Sequence, residues 1–190
     1  MVEFTTHDEQ TAPEGSRELL QKMKEAYGFI PNLGGAMAQS PAMLGSLMAL
    51  AMNFMKSSLN PVEQQVVAIA TSAYNGCAYC VASHSMAAQK AGMTDQALDA
   101  VRTGGVIEDE KLEALHLFTV TMVEKRGWTS DEEVQAMLDA GYTNENILDA
   151  IVGITMKTLT NYTNHVVHTE LNEAYEQQKW DATMYAQAAQ

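Results

Sequence analysis

The chain has 190 residues, of which 46% are hydrophobic and 18% charged, enough apolar material for one folded domain with a sizeable core. This composition excludes a disordered protein, and a net charge of −13 without any basic run argues against nucleic-acid binding. The longest nearly apolar stretch, residues 42–55, is shorter than the roughly 20 residues that a spanning helix needs. The N-terminus has no basic flank followed by an apolar run, so we expect a cytoplasmic protein that does not bind membranes.

Helical spacing of apolar residues runs through the chain, and alternating β-branched runs are scarce. We therefore expect an all-α fold of about eight or nine helices. The segment GFIPNLGGAMAQSP is predicted to turn twice, and NYTNH to form a polar helix end or an interface. In chain order the expected helices cover about residues 16–27, 41–56, 61–74, 77–91, 95–103, 112–126, 130–140 and 147–159, with a tail helix near Trp180.

Capping residues mark several helix boundaries. The Asn-Pro pair at 60–61 has the character of a helix cap and first helical residue, and the Asn-Gly pair at 75–76 breaks that helix directly before Cys77. Ser130 and Glu133 have the spacing of a capping box. These signals place a new helix start at the first cysteine.

No linker rich in Gly, Ser or Pro divides the chain, so we expect a single domain over residues 1–190. A degenerate internal repeat is visible between residues 60–92 and 144–176. Coincidence explains this match about as well as a duplicated helical hairpin whose thiols have become amides. In the repeat, Cys77, Cys80 and His84 correspond to Asn161, Asn164 and His168.

The sequence NGCAYCVASH places Cys77, Cys80 and His84 at i, i+3 and i+7, which is one stripe of a helix. Three residues of helical rise put the two cysteine Cα atoms about 5 Å apart, a separation at which a disulfide closes with little strain. Cys77 lies at the helix start, where the dipole favours a thiolate, and His84 could accept the proton of Cys80. Tyr79 points off this stripe and is expected to pack.

Zinc binding, core packing and a histidine metal patch are the other interpretations of these residues. A zinc site wants four ligands, and this motif supplies three at most. Two buried cysteines could also serve only as core packing. His165 and His168 lie at i, i+3, a spacing common on helices and a weak indication of a metal patch. We therefore predict a redox-active dithiol without a bound metal.

Glu63 is the only acidic residue between positions 26 and 94, which makes it a candidate proton relay for His84. On an unbroken helix it would lie within about 40° of Cys77, whereas Gln65 would lie about 120° away. The break at 75–76 makes this projection unsafe. An equally good interpretation is an acid in the first helical turn that complements the helix dipole.

The chain resembles the AhpD-like, carboxymuconolactone decarboxylase family, and specifically its peroxidase-related Cys-x-x-Cys branch. GFIPN and SPAML are similar to the family's lead-in, and NYTNH is similar to a closing segment of one subgroup. Most of the specificity lies in LNPVEQQVVAIATSAYNGCAYCVASHSMAAQKAG. The resemblance implies an AhpD-like helical fold, a homo-oligomer and thiol-dependent peroxidase or disulfide-reducing activity without a cofactor.

In the scheme that the resemblance implies, Cys80 attacks the peroxide and becomes a sulfenic acid, and Cys77 condenses with it to a disulfide. His84 matches the family histidine, which passes a proton toward a glutamate. The position of that glutamate is occupied here by Gln65, so either Glu63 takes over or the relay ends at His84 and the peroxidase activity is weak. The thiols argue against the family's decarboxylase branch.

We therefore predict an antioxidant oxidoreductase that reduces organic hydroperoxides, with Cys80, Cys77, His84 and Glu63 as catalytic residues. Its reductant would be an unidentified thiol or protein. The alternatives are a general dithiol–disulfide reductase and a non-catalytic helical assembly module whose cysteines only lock a helix.

Overall fold

The computed structural model describes residues 3–185, and within that range the chain is helical and contains no strand. The expected all-α class is therefore confirmed. Among the described helices, none is long and apolar enough to cross a bilayer. The α-helices are α1 (Glu14–Tyr27), α2 (Asn32–Met37), α3 (Pro41–Met55), α4 (Pro61–Tyr74), α5 (Ala78–Ala91), α6 (Asp95–Thr103), α7 (Glu110–Glu124), α8 (Asp131–Asp139) and α9 (Asn144–Val167), and two short 3-10 helices cover Glu173–Gln178 and Ala182–Met184.

The predicted caps are present. Asn60 and Glu63 form a reciprocal capping box at the start of α4, with Pro61 as the first helical residue. Ser130 and Glu133 form another at the start of α8. Between α4 and α5 the chain turns through Gly76, whose φ of +70° is readily adopted only without a side chain.

Two local predictions were wrong, and α9 runs past its expected end at Leu159. Residues 32–37 form α2 where turns were expected. The NYTNH segment lies inside α9, where Asn161 is buried and the hydroxyl of Thr163 donates to the carbonyl of Leu159 one turn back. The tail helix near Trp180 is replaced by the two 3-10 helices, which lie on either side of this residue.

A duplicated helical hairpin, one of the two explanations of the match between residues 60–92 and 144–176, is absent, because α9 continues unbroken through the residues that correspond to the break between α4 and α5. The assignment of residues 1–190 to one domain remains a prediction, since positions 1–2 and 186–190 lie outside the described range.

Helix α4 lies at the centre of the fold and packs against α5, α7 and α9. Helix α9 approaches closely because Gly153 carries no side chain: a Cβ there would lie 2.5 Å from a ring carbon of Phe54 and 2.9 Å from Val67. This contact fixes the depth of α9, so that the residues one turn further along it meet α4 and α5. The two cysteines belong to a second apolar cluster, which also contains residues of α1, α2 and the C-terminal segment.

Candidate active site

Three of the four predicted site residues come together where α4, α5 and α9 meet. Cys77 is the residue that caps the start of α5, Cys80 lies in its first turn and His84 lies one turn further on. The thiols are free, with Cys77 fully buried and Cys80 only 1% exposed, whereas His84 is half-buried. The dithiol therefore lies beneath the surface, with the imidazole nearer to solvent.

Both ring nitrogens of His84 have partners. Nδ1 lies 2.8 Å from Oε1 of Gln65 on α4, and Nε2 lies 2.9 Å from Nζ of Lys157 on α9. An amide oxygen only accepts hydrogen bonds, so Nδ1 carries the proton and Nε2 accepts from the lysine. Burial and the neighbouring Lys157 charge hold the pKa of His84 well below its usual range, which keeps the ring neutral.

Cys80 is the sulfur that the site stabilises as an anion. Burial alone would raise the pKa of the Cys80 thiol, but a hydrogen bond from Cys77 and the charge of Lys157 lower it to about 6. Hydrogen bonds from Asn161 and Thr160 add to this effect. At neutral pH most of Cys80 is therefore thiolate, in contrast to an ordinary thiol with a pKa of about 8.5.

Cys77 behaves in the opposite way. Its hydrogen bond to Cys80, together with burial, raises the pKa of the Cys77 thiol far above its usual value. The hydrogen bond to Cys80 and burial thus oppose the thiolate that the helix start is expected to favour at Cys77. The pair consists of one thiolate and one thiol that donates to it.

Asn161 ties α9 to the cysteine helix and to α4. Its side chain is completely buried, its Nδ2 lies 3.2 Å from Oγ of Ser72, and its Oδ1 accepts from Nδ2 of Asn75 at 3.0 Å. The amide is therefore held in one orientation with a proton directed toward Cys80.

Glu63 is not part of this cluster. Its carboxylate accepts from the backbone N–H of Asn60 at 2.8 Å and pairs with Nζ of Lys111 at 3.1 Å. Both ring nitrogens of His84 are engaged by other residues, and the contact expected of Glu63 is made by Gln65. The projection onto one continuous helix fails because α4 ends at Tyr74 and α5 follows a different axis. The structure thus corrects the assignment of Glu63 as the relay and favours the capping interpretation.

Tyr79, between the cysteines, packs as expected and also anchors the C-terminal segment. Its hydroxyl donates to Oδ1 of Asn172 at 2.6 Å, and its ring meets that of Tyr175 edge-on at 5.8 Å. Tyr175 is buried in the same apolar cluster as both cysteines. The segment around the first 3-10 helix therefore forms part of the cover over the dithiol.

Sequence reasoning missed Lys157, the residue that contributes the positive charge. A signal was available: Ala150, Gly153 and Ile154 form the buried face of an apolar helix, and Lys157 and Asn161 continue that face. A lone lysine on such a face requires a partner in the interior. Its proximity to the cysteine helix is a tertiary contact between residues 73 positions apart in the chain.

A protein-family model matches the part of the chain that contains the cysteines. The model of the carboxymuconolactone decarboxylase family matches residues 41–121, a range that contains both cysteines, His84 and Gln65. Lys157 lies outside the matched range. No curated protein sequence matches the chain.

Several solved structures share the fold. A peroxidase-related protein with an alkylhydroperoxidase AhpD core from Ralstonia eutropha superposes with a TM-score of 0.81 at 20% identity, covering 90% of this chain and 93% of that one. A peroxidase-related protein from a Silicibacter species gives 0.78 at 18% identity, covering 92% of each. The debrominase Bmp8 in complex with 2,3,4-tribromopyrrole gives 0.79 at 16% identity, covering 94% and 96%. At these identities the likeness establishes the common fold.

Proposed function

Since the carboxymuconolactone decarboxylase family model matches residues 41–121 and the fold is shared with an AhpD-core protein, we propose that this chain is an AhpD-like, thiol-dependent oxidoreductase that reduces organic hydroperoxides through a Cys77–Cys80 dithiol/disulfide cycle. The observation that carries the proposal is the pair of free, buried cysteines one turn apart at the start of α5, with His84 and Lys157 beside them. A nucleophile beside a resolving thiol is the minimum that such a cycle needs.

The reaction balances with these two residues and one peroxide. The Cys80 thiolate attacks the terminal peroxide oxygen, the O–O bond breaks, and the alkoxide leaves and takes up a proton to become the alcohol. Cys80 is now a sulfenic acid, and the Cys77 sulfur displaces its oxygen as water to form the disulfide. An external thiol or protein reductant then supplies two electrons and restores the dithiol.

Burial of the sulfurs constrains how the peroxide arrives. Cavities of about 620 and 610 Å³ are present in the described chain, and neither is lined by Cys77, Cys80 or His84. Because Cys77 is fully buried and Cys80 is only 1% exposed, we expect a peroxide to reach Cys80 through a local opening of the surrounding side chains or of the C-terminal segment. We expect small hydroperoxides to react faster than bulky ones, because they need a smaller opening.

The experiment is rapid mixing of the reduced protein with tert-butyl hydroperoxide, followed by counting free thiols. The chain contains only two cysteines, so every thiol lost belongs to this pair. We expect the native chain to lose both thiols and release the alcohol. Cys80→Ser should be inert, whereas Cys77→Ser should stop at a sulfenic acid that dimedone traps. Full thiol retention in the native chain would refute the proposal.

Two other functions predict different results in this assay. A general dithiol–disulfide reductase would be oxidised by a small disulfide and not by the hydroperoxide. If the chain were a non-catalytic assembly module, its Cys77→Ser, Cys80→Ser double variant would fold and assemble as well as the native chain.

Because a debrominase shares the fold, 2,3,4-tribromopyrrole belongs among the oxidants tested. The reductant and the expected cytoplasmic location remain parts of the proposal.

A further inference from the structure

Lys157 is a charged residue in an interior position. Its side chain is only 4% exposed, in the middle of α9. Its one side-chain hydrogen bond in the described chain is with the neutral imidazole of His84, and none of the carboxylates in residues 3–185 forms an ion pair with it. Burying an ammonium group without a nearby negative charge is strongly unfavourable. A charged Lys157 therefore requires an anion from the interior of this region.

The geometry identifies that anion. Helix α9 carries Lys157, Thr160 and Asn161 at positions i, i+3 and i+4, so these residues share a face. Lys157 contacts His84 on α5, and the buried Asn161 contacts Ser72 in the last turn of α4 and Asn75 just after it, two to five residues before Cys77. Cys80 and His84 are themselves one turn apart on the same face of α5. The two faces oppose each other, which brings the ammonium and the sulfur into one buried compartment.

We propose that Lys157 is the counter-ion of the Cys80 thiolate, and that this ammonium–thiolate pair takes the place of a histidine–carboxylate base in generating the nucleophile. The inference deepens the proposed function and rests on it for the role of Cys80 as the attacking sulfur. Lys157 is a positioning residue, because it acts through its charge and through His84.

This assignment changes the role of His84. The lone pair on Nε2 accepts from Lys157, and the proton on Nδ1 is donated to Gln65, so neither nitrogen is free to remove the thiol proton. The imidazole instead holds the lysine ammonium in place from one side. Gln65 fixes the ring in the tautomer that makes this possible.

The test is the pH titration of the thiolate ultraviolet absorbance, a readout that does not depend on reagent access to the buried sulfur. Lys157→Gln removes the charge but keeps an N–H donor for His84, and Lys157→Arg keeps both. Lys56→Met removes an exposed lysine at the end of α3 and serves as the matched control. Circular dichroism and thermal unfolding of each variant establish that the folded protein is being titrated.

We expect the midpoint of the Cys80 titration in Lys157→Gln to rise by about 1–3 pH units, the size of effect that a neighbouring opposite charge produces. Lys157→Arg and Lys56→Met should titrate close to the native chain. A folded Lys157→Gln with the native midpoint would overturn the proposal. If that variant does not fold, Lys157→Met replaces it, with the same expected rise of the midpoint. A midpoint in Lys157→Arg as high as that of an ordinary thiol would also overturn the proposal.

Failure of the proposed function gives a different result. In that case the native chain shows the low titration midpoint and its dependence on Lys157, but hydroperoxide leaves both thiols intact. If instead the hydroperoxide is reduced and the midpoint is insensitive to position 157, the peroxidase proposal stands and the counter-ion does not.

Discussion

The amide oxygen of Gln65 lies 2.8 Å from Nδ1 of His84, in the place where a carboxylate could hold an imidazolium ion. A neutral amide cannot stabilise that cation or receive its proton, so the imidazole stays neutral and the positive charge of the site resides on Lys157. The site thus contains the cysteines and the histidine that the resemblance predicts, while the nearest positive charge comes from Lys157 on α9.

Replacing Gln65 by Glu tests this arrangement directly. The new carboxylate would attract the Lys157 ammonium and stabilise a protonated His84, and its negative charge would oppose the Cys80 thiolate. We expect the Cys80 titration midpoint to rise and the rate of thiol oxidation at pH 7 to fall. Gln65→Leu, which is neutral, should shift the midpoint less. Faster oxidation in Gln65→Glu would show that a histidine–carboxylate relay is what the site lacks.

The pH dependence of oxidation follows from the pKa of about 6 at Cys80. We expect the rate of thiol loss with hydroperoxide to be nearly constant above pH 7 and to fall tenfold per pH unit well below pH 6, as the thiolate is protonated. The raised pKa of Cys77 predicts no second thiolate at neutral pH. A rate that keeps rising through pH 8.5 would indicate an ordinary thiol.

Stability should depend on pH through the same group. In the unfolded chain Cys80 has a pKa of about 8.5, so between that value and about 6 the unfolded state binds more protons than the folded state. The stabilisation from the thiolate is therefore fully present above the pKa of Cys80 in the unfolded chain. It is lost as the pH falls through the pKa of Cys80 in the folded chain. Urea unfolding between pH 6 and 8.5 measures this. The free energy of unfolding of the native chain minus that of Cys80→Ser should grow with pH.

Glu63 is expected to contribute to stability and not to the chemistry. Replacing it by Gln weakens the capping box with Asn60 and removes the ion pair with Lys111, which should lower the free energy of unfolding by about 1–2 kcal/mol. Chemical denaturation measures this loss. The rate of thiol oxidation should stay at its native value. A large decrease in that rate while the protein remains folded would return Glu63 to the relay.

Homo-oligomerisation, which the resemblance implies, remains a prediction with a specific surface. Leu148, Ile151, Tyr162 and Val166 form an exposed apolar stripe along α9. We expect Ile151→Glu to reduce the mass measured by sedimentation. Leu117→Glu, at an exposed apolar position on α7, should leave the mass unchanged. A native chain that sediments as a monomer would contradict the prediction.

The sequence by itself determined the helical class, most helix boundaries and the dithiol motif. These depend on local chemistry: caps such as Asn60, the break at Gly76, and the spacing of Cys77, Cys80 and His84 within one helix. Interactions within a few residues of each other are set by backbone geometry and side-chain type, and both can be inferred from a single chain.

Only the tertiary structure decided how the sulfurs are charged. Lys157 reaches His84 and Asn161 reaches Ser72 because Gly153 lets α9 approach α4 closely, and Glu63 is excluded because α4 and α5 do not share one axis. A thiol titrates according to the charges and donors around it in space, and those come from residues distant in the chain. Helical spacing identifies which side chains share a face, but it does not identify the residues that the face meets.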